Sequence, residues 1–97
     1  MSVVVTYELE AKEGEIEKMK QLLVEILPDT RAFAGCNSVI AYVDQDSRNI
    51  TYMIEDWDSR ADYEKYTAWR IEVNSAEKFA PFVAGPPTIR YFDKFDG

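Results

Sequence analysis

The sequence predicts an α+β fold, a four-stranded antiparallel sheet with its helices on one face, in the order β-α-β-β-α-β. Three observations predict it. Runs rich in β-branched and aromatic residues begin at Val3, Cys36, Ile50 and Thr88, and stretches of helical periodicity separate the first from the second and the third from the fourth. The second and third runs are joined by Asp44-Gln45-Asp46-Ser47-Arg48-Asn49, a polar loop of turn-forming residues that suits a hairpin. A chain of 97 residues has room for one core only, so residues 1–97 form a single domain. This order is the ferredoxin-like, split βαβ arrangement, whose helices cover one sheet face.

The first strand runs from Val3 to Glu10, with Val3, Val5, Tyr7 and Leu9 on one face and Val4, Thr6 and Glu8 on the other. Both faces begin apolar. Ala11-Lys12-Glu13-Gly14 turns into a helix over Glu15 to about Phe33, whose Ile16, Met19, Leu22, Leu23, Ile26 and Leu27 form one buried stripe. Pro28 is expected to end or kink it, because proline lacks an N–H and its ring displaces a turn; Asp29 to Ala34 then adds a further turn before Gly35. The second strand, Cys36 to Val43, alternates Cys36, Ser38, Ile40 and Tyr42 against Val39, Ala41 and Val43.

The third strand opens on Ile50 to Ile54 and closes at Trp57. Asp58-Ser59 follows with the short side-chain oxygens that cap a helix, and Asp62 stands three residues after Ser59, where the acid of a capping box belongs. Tyr63, Tyr66 and Trp69 recur every three residues and so share one broad face of that helix. Asn74-Ser75 interrupts it, Ala76, Phe79, Phe82 and Val83 predict a short third helix, and Ala84-Gly85-Pro86-Pro87 stops that one. Thr88 to Phe95 is the last strand, with Ile89, Tyr91 and Phe95 opposite Arg90, Phe92 and Lys94. Several strands are apolar on both faces, so the face away from the helices needs a cover. A second copy of the sheet is the simplest one.

Composition excludes several function classes. A net charge of −7 supplies no basic face for nucleic acid or for an anionic membrane surface. No apolar run approaches a bilayer-spanning length, and MSVVVTYELE has neither the basic start nor the apolar core of a signal peptide. The single cysteine, Cys36, cannot form an internal disulfide and fits a reducing compartment, so the expectation is a soluble, cytoplasmic protein. With no histidine and one cysteine there are no ligands for a transition metal or haem, and there is no Ser-His or Cys-His couple. Glycine-rich phosphate loops are absent as well. Cys36, at a strand start, reads as a small buried hydrophobe.

What remains is aromatic. Trp57 ends a strand just before a helix bearing Tyr63, Tyr66, Trp69 and Arg70, and Tyr7 and Tyr52 lie on neighbouring strands. Together they make an aromatic-walled recess with one cation beside it, suited to stacking a flat ligand and orienting its oxygens. The same residues also suit a plain bulky core for a small domain.

Trp57-Asp58-Ser59-Arg60-Ala61, with an aromatic nine residues after the Trp, resembles the strand-to-helix signature of the antibiotic biosynthesis monooxygenase family. Trp69-Arg70 and Gly85-Pro86-Pro87-Thr88-Ile89-Arg90-Tyr91-Phe92 resemble its quinol monooxygenase-like branch. The resemblance covers nearly the whole chain through the order and spacing of weak motifs. It implies a dimeric α/β barrel that oxygenates a quinol or polyphenol without a cofactor or a metal, the deprotonated substrate supplying the electrons that reduce O₂. With the recess read above, the expected catalytic residues are Trp57, Tyr63, Tyr66 and Arg70, and the expected substrate-binding residues Tyr7, Tyr52, Met53 and Trp69.

There are departures from the family pattern. Family members often carry His nine residues after the motif Trp, where this chain has Tyr66. The actinorhodin-type members carry Asn four residues before that Trp, and here Met53, which donates no hydrogen bond, fills the slot although Trp57 and Tyr63 match. The haem-degrading branch uses Asn, Trp and a ligating His, against Tyr7, Tyr66 and Ala76 here, so haem degradation does not fit. The alternative function is a non-catalytic dimeric barrel that binds a small hydrophobic molecule, since one architecture hosts many activities.

Overall fold

The computed structural model describes residues 2–97. Its elements run β1 (Val3–Glu10), α1 (Ile16–Ala32), β2 (Cys36–Val43), β3 (Ile50–Trp57), α2 (Arg60–Glu72), α3 (Ala76–Phe79) and β4 (Thr88–Phe92). The four strands form one antiparallel sheet in the order β2-β3-β1-β4, which is the ferredoxin-like topology. Among the described residues no helix is long and apolar enough to cross a membrane.

Pro28 lies inside α1, which continues to Ala32, in line with a helix expected to run to about Phe33. The carbonyl that proline leaves without a partner belongs to Val24, which is 66% exposed, so water can satisfy it. β4 stops at Phe92 and not at Phe95, because Phe92 pairs with Val4 and β1 has almost no strand left to pair beyond it. Lys94 instead reaches Asp56, at 2.9 Å, and Phe95 stands exposed. Finally, a bulge between Cys36 and Ser38 shifts the register of β2. Cys36 pairs opposite Trp57 and packs with the helix-side core, so it does not share a face with Ser38 and Ile40. Burial pushes its thiol up to about 11, so Cys36 is protonated at neutral pH.

The helix-facing side of the sheet carries two cores. Under α1 lies an aliphatic one, in which Leu9, Val39 and Met53 meet Met19, Leu23 and Leu27, with Phe79 of α3 closing its edge. Under α2 lies an aromatic one, built from Val3, Val5, Trp57, Tyr63 and Tyr66. The opposite face carries Ile40 paired with Ile54 and Tyr42 paired with Tyr52, and Phe92 beside Val4. Ile40, Tyr42, Ile54 and Phe92 are each between 43% and 53% exposed.

Candidate active site

The strand-to-helix turn after Trp57 fixes where α2 starts. Ser59 is the N-cap: its hydroxyl accepts from the Asp62 backbone N–H at 3.1 Å and donates to the Asp62 carboxylate at 3.0 Å. The acid of a capping box ordinarily reaches the cap's backbone N–H, and Asp, one methylene shorter than Glu, bonds the cap's hydroxyl instead. Gly35, at φ 95°, lets the α1–β2 turn come in against this first turn of α2. A Cβ there would lie 2.6 Å from the Asp62 Cβ, and the Gly35 carbonyl accepts from the Asp58 N–H at 2.8 Å. These contacts set the aromatic face of α2 over β3.

The first turns of α2 are sealed by aromatic packing. Trp57 is fully buried, with Tyr63 edge-on at 5.5 Å and Tyr66 at 5.1 Å between ring centroids. Phe33, which follows α1, meets Tyr66 edge-on at 5.3 Å and Trp69 at 5.7 Å. Edge-on pairs place the positive rim of one ring against the negative face of another. In this part of the site the rings interlock as a core does.

One turn further along, α2 is tied to α1 by hydrogen bonds. The hydroxyls of Tyr66 and Thr30 are 2.6 Å apart, and either can donate. Arg70 Nε donates to the Tyr66 hydroxyl at 2.8 Å, and Nη2 donates to Thr30 Oγ1 and to the Ile26 carbonyl, each at 3.0 Å. Nη1 donates to Ser75 at 3.3 Å, which leaves one of the five guanidinium N–H groups free. The ring of Tyr66 also lies 5.2 Å from the guanidinium. Burial raises the Tyr66 hydroxyl above its ordinary range, against the pull of its bonds to Thr30 and Arg70.

Between the two cores lies a cavity of about 370 Å³. Leu9, Leu23, Met53, Phe79, Pro87 and Ile89 give it a mainly apolar lining, joined by Ile71 of α2 and by Asn74 just after that helix. Its polar groups are Tyr7, Glu55, Tyr63, Tyr66 and Arg70, with Thr30, Thr67 and Ser75. The volume falls within the range of small-molecule sites. Glu55 is 4% exposed and sits in mid-sheet, between Val39 of β2 and Val5 of β1. Its Oε1 accepts from the Trp57 indole at 2.9 Å. Burial pushes its carboxyl up to about 7, with the Trp57 hydrogen bond and the charge of Arg70 pulling the other way. The Tyr7 hydroxyl is pushed up to about 12, by burial first and then by the charges of Tyr66 and Glu55. Tyr63 is raised further still, again chiefly by burial.

The structure therefore divides the residues expected at the site. Tyr7, Met53, Tyr63, Tyr66 and Arg70 all line the cavity. Trp57 does not, and bears on it from behind, through its hydrogen bond to Glu55 and its packing on Tyr63 and Tyr66. Trp69 packs against Phe33 and Tyr66, with the Arg70 guanidinium 4.7 Å from its ring, outside the cavity lining. Tyr52 lies on the far face of the sheet, paired with Tyr42 and Glu8, and its hydroxyl points to Asp44 at 3.5 Å. Among the described residues no three His, Cys, Asp or Glu side chains cluster as metal ligands would.

Glu55 and Thr30 are among the cavity residues that escaped the sequence reading. The signal for Glu55 was strand alternation: Thr51, Met53, Glu55 and Trp57 share a face, which the apolar run Ile50–Ile54 disguised. Thr30 continues the buried stripe Met19, Leu23, Leu27 at helical spacing.

The family model for antibiotic biosynthesis monooxygenases matches residues 2–70, which hold Tyr7, Thr30, Glu55, Trp57, Tyr63, Tyr66 and Arg70. A crystal structure of a Pseudomonas aeruginosa protein, 19% identical, covers 98% of this chain and 95% of its own at a TM-score of 0.84. One from Mycobacterium tuberculosis, 18% identical, covers 100% and 98%, also at 0.84. A third, described as an antibiotic biosynthesis monooxygenase, is 20% identical and covers 97% and 99% at 0.83. At such identities these likenesses speak to the fold. Comparison of the sequence with curated proteins finds no match. The matched span includes Val3, Val5, Trp57, Tyr63 and Tyr66 of the aromatic core and the cavity lining up to Arg70, and on it the chain belongs to the antibiotic biosynthesis monooxygenase family.

Proposed function

We propose that the protein is a cytoplasmic monooxygenase that oxygenates a quinol or polyphenol in the cavity between the sheet and α2, without a cofactor. The observation that carries this reading is the cavity itself, mainly apolar and walled by Tyr63 and Tyr66, with Tyr7 and the Arg70 guanidinium among its few polar groups. A flat aromatic ring suits such walls, and an apolar enclosure keeps water from a reactive oxygen adduct. Arg70, with one N–H free, favours the phenolate form of the substrate electrostatically. The phenolate then reduces O₂: one oxygen atom enters the ring, the other leaves as water with two substrate hydrogens, and the substrate supplies all the electrons.

Quinol-dependent O₂ consumption above the autoxidation background tests this. A rate that stays at background with a panel of quinols and polyphenols sinks it. A non-catalytic module that binds a small hydrophobic ligand is the second reading, and one observation favours it. Tyr66 and Arg70 already have their bonds to Thr30, Ile26 and Ser75, as structural side chains do. Binding without O₂ uptake selects that reading.

The assembly belongs to the same proposal. The half-exposed Ile40, Tyr42, Ile54 and Phe92 make an apolar sheet face that a second copy covers, giving a dimeric barrel. Sedimentation at micromolar concentration is expected to give about twice the 11.2 kDa chain mass, and Ile54→Lys, which puts a charge beside Ile40, to give the single mass.

A further inference from the structure

We propose that Glu55 is the catalytic base of the cavity, and that a ligand's aromatic hydroxyl docks against its free oxygen, with Trp57 fixing the carboxyl's orientation. The inference rests on the aromatic-substrate reading above and names the residue that ionises the substrate.

Glu55 supplies the acceptor that the buried Trp57 indole needs, but one neutral donor uses only one of its two oxygens. It faces the helices from the middle of the sheet, in a row that runs Val39, Glu55, Val5, Tyr91 across four strands. No Lys or Arg among the described residues forms an ion pair with it, and its one protein donor is a neutral indole. A buried carboxylate without a cation is costly, and a neutral acceptor such as Gln would satisfy the Trp57 indole without that cost. Among the described residues the second oxygen accepts no bond from the protein, yet no fully buried side-chain oxygen is left without a partner. That oxygen is thus open to the cavity Glu55 lines. The hydroxyls of Tyr7 and Tyr63 share this condition, lining the cavity with no partner among the described residues. Three polar groups held open in an apolar chamber suit a ligand that brings a hydroxyl of its own.

Elimination gives Glu55 its role. The titratable or charged groups around it are Tyr7 from β1, Cys36 from β2, Tyr63, Tyr66 and Arg70 from α2, and Tyr91 from β4. Arg31, from α1, donates to the Val39 carbonyl. Arg is always protonated, and burial holds Tyr7, Tyr63, Tyr66 and Cys36 in their protonated forms at neutral pH. Glu55, whose carboxyl titrates near 7, is the cavity group that can both accept and return a proton there. In the step, the ligand's O–H bond breaks, an O–H bond forms on Glu55, and the electron pair stays on the ligand oxygen as phenolate. The proton returns with the water formed from O₂.

The test uses naphthol and its methyl ether, which differ by the one proton in question, with wild type and Glu55→Gln. Gln is isosteric and neutral, so the variant is expected to fold. In wild type, the preference for naphthol over the ether should rise about tenfold between about pH 5.5 and pH 8, as the carboxyl ionises and becomes a charged acceptor. In Glu55→Gln the preference should not change with pH. A preference that is flat in wild type, or moves alike in both proteins, overturns the assignment. For quinol-dependent O₂ uptake, kcat should fall about 100-fold in Glu55→Gln with KM within about threefold. Wild-type turnover that survives the substitution removes Glu55 and leaves the monooxygenase standing. If wild type consumes no O₂, the monooxygenase reading falls and the naphthol preference still decides what Glu55 binds.

Discussion

The two helices lie over one sheet, but the halves beneath them are built on different terms. Under α1, Met19, Leu23 and Leu27 meet Leu9, Val39 and Met53, side chains whose only requirement is to exclude water. Under α2 nearly every large side chain carries a polar atom, and each such atom must find a partner or remain open. Trp57 finds Glu55, and Tyr66 finds Thr30 and Arg70. Tyr63, a turn earlier on the same helix, is 1% exposed and finds none among the described residues. Hydrophobic closure and polar satisfaction therefore come apart within one small domain. The cavity lies where the second is incomplete.

Breaking the sealed end of the aromatic half should have the largest effect. Trp57→Ala removes a fully buried indole packed on Tyr63 and Tyr66 and takes away the only donor to Glu55 among the described residues. We expect a loss of about 4 kcal/mol in urea unfolding. A loss below about 2 kcal/mol would show that this end is no better packed than the cavity beside it.

A change of pH discriminates the halves next. Glu55 carries a carboxyl raised from 4.5 to about 7 in the folded protein, so between those values the folded state holds a proton the unfolded state has lost. Stability from this group is fully present below about pH 4.5 and is lost as pH rises to about 7, a fall of about 3 kcal/mol. Asp44 and Asp56, half-buried and with lowered values, act in the opposite sense and only at lower pH. In unfolding measured across this range, Glu55→Gln should abolish the fall and be the more stable protein at pH 8. A parallel fall in both proteins would place the titration elsewhere.

The smallest effect sharpens the comparison most. Tyr66→Phe and Tyr63→Phe each delete one hydroxyl from a buried ring of α2. Tyr66→Phe strips partners from Thr30 and Arg70 and should lower stability by about 1 kcal/mol. Tyr63→Phe removes a hydroxyl with no protein partner and should change stability by less than about 0.5 kcal/mol, while weakening naphthol binding. Equal losses would mean that Tyr63 has a bond within the fold and does not serve the ligand.

The order of elements was legible in the sequence because each carries a local signal. Alternation marks Val3 to Glu10, the stripe from Ile16 to Leu27 marks α1, and Ser59 with Asp62 marks the start of α2. The family was legible for the same reason, since Trp57 to Ala61 and the aromatics after them are fixed spacings along one chain. Where β4 stops and which way Cys36 faces depend on strands far away in sequence, and both were misplaced. The roles within the site lie further still from any local signal. Tyr52 and Met53 are adjacent in sequence, yet the pleat sends one to the face opposite the helices and the other into the cavity. The hydroxyl of Tyr66 is bound because Thr30, 36 residues earlier, lies across from it. Glu55 sits among apolar neighbours because the register sets it between Val5 and Val39. Periodicity and caps, which act between near neighbours, settled the elements and the family; pairing across strands and helices decided which polar atoms are satisfied and which are left to a ligand.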